Sequence, residues 1–114
     1  MKMTIQPLED DLKVISLDGR LDIEGAQSID DQFAFATTTK AARIVVDLAQ
    51  VAFIASIGVR TLFNAARSQA TRGGKVVLAQ PTALVRKVLE TSGADQLMPI
   101  FDTVDAARGA LSEH

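Results

Sequence analysis

A chain of 114 residues, 47% hydrophobic and 23% charged, has the profile of one compact domain able to bury a core without staples. A net charge of −2 and the lack of tryptophan and tyrosine argue against nucleic acid, whose binding needs cations for phosphates and aromatic platforms for bases. No cysteine is present for disulfide, metal or thiol chemistry, and no apolar run approaches the ~20 residues of a membrane span, so a cytoplasmic protein without membrane insertion is expected.

Taken in chain order, "MTI" and "LKVISLDG" read as two short strands around "QPLEDD", whose proline and acids suggest the turn of an opening hairpin. In "RLDIEGAQSIDDQFAFATTTK", Ala26, Ile29, Phe33 and Ala36 recur at helical spacing, with Asp22 placed to cap the helix. The β-branched run "ARIVVDL" predicts a central strand covered on both faces. Val59, Leu62, Phe63 and Ala66 form the next helical stripe, which the glycines of "TRGG" end before a strand "KVVLA". "QPTALVRKVLETSG" predicts a short helix capped by Thr82 and stopped at Gly93, with Leu84, Val85, Val88 and Leu89 on one face. "LMPIF" suits a brief edge strand that tolerates Pro99, and "DTVDAARGALSEH" a last helix with Val104, Ala107 and Leu111 inward. The alternation predicts a single α/β domain over 1–114, core about 3–112, with a mostly parallel four- to five-stranded sheet and about four helices.

The stretch "DLAQVAFIASIGVRTLF" raises the functional question, because a lone serine stands where strand turns into helix. From spacing alone, Ser56 reads either as a helix N-cap or as a site for charge: the first turn offers unpartnered N–H groups and the positive end of the helix dipole, where a phosphate is stabilised. Gly58 either leaves that turn bare for an approaching partner or relieves helix–sheet packing. Ile57 and Val59 offer apolar contacts to a partner, and Arg60 stands near enough to touch a partner or a phosphate. Arg67, Arg72, Arg86 and Lys87 read as exposed helix faces, and the pairs Asp10–Asp11 and Asp30–Asp31 as solvated charges. Hydrolase chemistry lacks a base, since the only histidine is the terminal His114, and "IASIG" lacks the first glycine of a nucleophile elbow. "RGGKVV" lacks the spacing of a phosphate-binding loop and reads as a turn into a strand. No enzyme activity, cofactor or metal is expected.

The string from "IVVDLAQVAFIASIGVR" through "RGGKVVLAQPTALVRKVLETSGADQLMPIF", with "LDGRLDIEGA" upstream, resembles the STAS domain, the module of bacterial anti-sigma factor antagonists and of sulfate transporter tails. In the antagonist branch, the serine after the third strand is phosphorylated by an anti-sigma factor that is itself a serine kinase of the histidine-kinase-like ATPase type. Only the unphosphorylated form sequesters that kinase. The resemblance puts Ser56 at the phosphoacceptor position and Asp22 at that of an aspartate supporting kinase binding, with Ala55, Ile57, Gly58, Val59 and Arg60 completing the partner-binding set. Where the family has an acid, the serine, a second hydroxyl and a glycine, this chain has Ala55, Ser56, Ile57 and Gly58. The resemblance implies an antagonist switched at Ser56, monomeric or weakly dimeric, with a phosphatase as a further partner. It leaves open an accessory STAS subunit or scaffold of a membrane transport complex in which Ser56 is never modified.

Overall fold

The computed structural model describes residues 1–9 and 11–112, so Asp10 and His114, both named above, lie outside the described residues. The chain runs β1 (Lys2–Glu9), β2 (Leu12–Leu21), α1 (Ile23–Thr38), β3 (Arg43–Ile54), α2 (Ser56–Arg72), β4 (Lys75–Ala79), α3 (Ala83–Thr91), α4 (Ala94–Leu97), β5 (Ile100–Phe101) and α5 (Val104–Ser112). The strands form one sheet in the order β1-β2-β3-β4-β5, antiparallel between β1 and β2 and parallel thereafter. The opening hairpin, the single α/β architecture and the central β3 all agree with the sequence reading.

Alternation along the strands divides the interior in two. Ile15 and Leu17 of β2, Ile44, Val46 and Leu48 of β3, and Val76 and Leu78 of β4 face the larger core, which α1 through α4 cover. Leu12, Val14, Val45, Val77 and Ala79 face the other way, against Ala107 and Leu111 of α5. The parallel strands are therefore buried on both sides, as their continuous apolar runs require.

Four details depart from the sequence reading. β1 continues through Pro7 to Glu9 instead of turning at "QPLEDD". It is an edge strand, where a missing N–H can face outward, and its register shifts between Pro7 and Glu9. β3 runs on to Ile54 past Ala49 and Gln50, across two register shifts against β2. The one-turn helix α4 brings the described helices to five. Leu84 is 55% exposed while Val85 and Leu89 are buried, because the four apolar positions of α3 wrap past the face that meets the sheet.

The far end of the molecule is held by one buried amide. Gln69, fully buried near the end of α2, accepts from the Ala42 N–H at 2.8 Å and donates to the carbonyls of Thr37 at 2.6 Å and Lys40 at 3.0 Å. A loop that would otherwise carry unpaired backbone groups is thereby satisfied from a neighbouring helix. Beyond Gln69, Gly73 ends α2 in the left-handed region at φ 85°, and the chain turns into β4 as "RGGKVV" suggested.

Candidate functional site

The parallel strands β2 and β3 end side by side, and each gives way at once to a helix. The Ala55 N–H donates to the Leu21 carbonyl at 3.0 Å, which ties the last residue before α2 to the last residue of β2. Helix α2 then packs so closely on this junction that a Cβ on Gly58 would lie 2.6 Å from the Leu21 carbonyl oxygen and 2.7 Å from Leu21 Cγ. Gly58 is thus a packing glycine, buried against the sheet, and the bare-turn reading of it is corrected. Val59 is likewise 5% exposed and belongs mainly to the core, so it offers a partner little surface.

Ser56 is exposed at the first residue of α2. The N-cap position belongs to Ala55, whose methyl group accepts no hydrogen bond, so the reading of Ser56 as a cap is also corrected. The amides of the first turn keep their capacity to donate, and the hydroxyl stands beside them at the positive end of the helix dipole. Ile57 is partly buried and Arg60 exposed.

Asp22, immediately after β2, does cap α1: its Oδ1 accepts from the Gly25 N–H at 2.9 Å. Its Oδ2 accepts from Arg20 Nε at 3.4 Å, and the Arg20 guanidinium lies 4.4 Å from the centre of the Phe53 ring on β3. The bond from Gly25, with a smaller contribution from Arg20, holds the Asp22 carboxyl below its usual pKa. Because the folded pKa is depressed, the stability Asp22 contributes is complete above the ordinary aspartate value of about 3.9 and is lost as pH falls through the folded value. Asp22→Asn keeps an amide oxygen as cap but has no charge to titrate. The melting-temperature gap between wild type and this variant is expected to be widest near neutral pH and to shrink to a constant remainder in strong acid, as a pH series of thermal melts would read.

The predicted residues therefore converge on one β2/β3 apex but open into different depressions. Asp22 lines one with Arg20, Glu24 and Ser28. Ile57 and Arg60 border a second, between α1 and α2, with Asp30. Ser56 and Arg60 border a third, a groove of about 370 Å³ between α2 and α3 whose lining includes Phe63, Arg67 and Val88. The sequence reading missed this groove, and also Ile23, which stands 60% exposed beside Asp22. The 4-3-4 spacing of Ser56, Arg60, Phe63 and Arg67 was a signal for the groove.

The STAS domain family matches residues 5–107, and the chain belongs to that family. Among curated proteins it is similar to a candidate anti-sigma factor antagonist, BtrV of Bordetella bronchiseptica, 27% identical over 111 residues covering 97% of this chain and 95% of BtrV. Among solved structures it is similar to the anti-sigma factor antagonist SpoIIAA in its unphosphorylated form, with a TM-score of 0.83, 24% identity and coverage of 99% of this chain and 98% of that one. The Bacillus cell fate determinant SpoIIAA in its phosphorylated form superposes with a TM-score of 0.74, at 24% identity over 96% of this chain and 98% of that one. The STAS domain of a SulP transporter from Vibrio cholerae shares the fold at a TM-score of 0.76, with 21% identity over 94% of this chain and 86% of that one. No helix among the described residues is long and apolar enough to cross a membrane.

Proposed function

We propose that this protein is a cytoplasmic anti-sigma factor antagonist that binds an anti-sigma factor of the ATPase-type serine kinase class and is released from it by phosphorylation at Ser56. The observation that carries the reading is the exposed Ser56 at the first residue of α2, on an apex beside an ionised Asp22, in a chain of the STAS family. The candidate antagonist BtrV, similar over nearly its whole length, supports the same role.

In the reaction, Ser56 Oγ attacks the γ-phosphorus of the kinase's ATP. The new P–Oγ bond forms as the bond to ADP breaks, and the hydroxyl proton leaves to a base on the kinase or to water. The protein supplies no catalytic group. It presents the hydroxyl on a rigid junction and receives the phosphate where first-turn amides and the helix dipole favour it. Once there, the dianion faces whatever docked on the apex and opposes rebinding by repulsion and desolvation.

The test is intact mass after incubation with ATP and an anti-sigma factor of the ATPase-type serine kinase class from the same genome. A single added phosphate on the wild type, absent from Ser56→Ala, is the expected result. A stable complex with no phosphate on either protein would overturn the switch and favour a constitutive STAS scaffold of a transport complex, the reading to which the fold shared with the Vibrio transporter domain lends support.

A further inference from the structure

The stripe that begins at Ser56 continues along α2 into the groove against α3. Phe63 and Val88, both partly buried, form its apolar floor, while Arg60 and Arg67 stand exposed along its rim. The Arg67 guanidinium lies 5.6 Å from the centre of the Phe63 ring. Among the described residues neither arginine is in an ion pair, and no carboxylate lines the groove. Leu84, one turn before Val88 on α3 and 55% exposed, extends the apolar surface at hand. A pair of cations over an apolar floor that no carboxylate lines is complementary to a ligand with the opposite pattern.

Spacing restricts that ligand further. Arg60 and Arg67 are seven residues apart on one helix, about 10 Å along its axis. Cations so separated, with a phenylalanine between them, do not converge on a single phosphate. They match acidic side chains two turns apart on a helix whose apolar residues lie between, the helix-in-groove mode of recognition.

We infer that the α2–α3 groove receives an acidic amphipathic helix of the anti-sigma partner. The inference rests on the proposed antagonist function and adds to it the means by which one phosphate acts on a larger interface. Ser56 stands one turn before Arg60, so a phosphate there takes up the guanidinium that the partner's first acid needs and repels that acid at the mouth of the groove.

Titration calorimetry of the purified full chain against an anti-sigma factor of the ATPase-type serine kinase class from the same genome, at low and high salt, tests this. Arg67 is two turns beyond the first arginine, exposed, without an acidic partner and in contact with the Phe63 ring, so Arg67→Glu should lower the melting temperature only slightly. It is expected to weaken binding about tenfold at low salt, with the loss narrowing at high salt and Arg67→Lys retaining most of the affinity. Wild-type binding that Arg67→Glu leaves within twofold would overturn the inference and spare the antagonist reading. Failure of the wild type to bind at all would overturn both. A concentration-dependent dimer that Arg67→Glu dissolves would put a second copy in the groove and also overturn the inference.

Discussion

Gly25→Ala is expected to destabilise the protein by about 3 kcal/mol and to disorganise the candidate site in the same step. Gly25 lies in the first turn of α1, where a Cβ would overlap the Arg20 carbonyl oxygen and come within 3.3 Å of Asp22 Oδ1. The obstacle is backbone, so no rotamer change relieves it. Either the end of β2 or the start of α1 must move, and the bond from the Gly25 N–H that seats Asp22 is strained with it. Gly58→Ala is the milder counterpart on the other helix, since part of what its methyl group meets is the side chain of Leu21. Urea denaturation of both variants would show the order: a lower midpoint with unchanged slope for each, and the larger fall for Gly25→Ala.

Gln69→Leu, at the opposite end of the domain, is expected to cost a similar amount, about 3 kcal/mol, and to lower the melting temperature by roughly 10–15 °C. Leucine is close in size but cannot accept from the Ala42 N–H or donate to the carbonyls of Thr37 and Lys40. An amide donor left unpaired in a buried setting carries most of the penalty. Gln69→Glu is instructive beside it: the acceptor for Ala42 survives, both donated bonds are lost, and a carboxylate is forced into a fully buried position facing two carbonyls. Neither change touches the β2/β3 apex, so whatever fraction remains folded should bind the partner with unaltered affinity.

Local rules carried much of the fold. "KVVLA" is bounded by glycines and a proline and is a strand over those five residues. Asp22 and Thr82 cap α1 and α3 because their side chains reach the third amide of each helix, a property of local spacing alone. What failed depended on neighbours. Pro7 punctuates a sequence but is harmless on an edge strand, and only the sheet order reveals which strand is the edge. Residues 94–97 are too few to show a period, so α4 had no signal.

The site divides in the same way. The strand-to-helix junction at Ser56 and the aspartate after β2 were legible as positions. Which residue caps α2, and that Gly58 and Val59 turn inward, followed from how tightly that helix packs on Leu21. The second wall of the groove was hidden because Val88 and Ser92 come from α3 and its end, which only the fold brings beside α2.

The central claim, that one phosphate at Ser56 decides whether this apex holds its partner, is tested most directly by measuring the affinity of the unmodified and the Ser56-phosphorylated protein for the same kinase-like protein. Tight binding of the unmodified form and a loss of about 100-fold on phosphorylation is the predicted result. Equal affinity of the two forms would contradict the account.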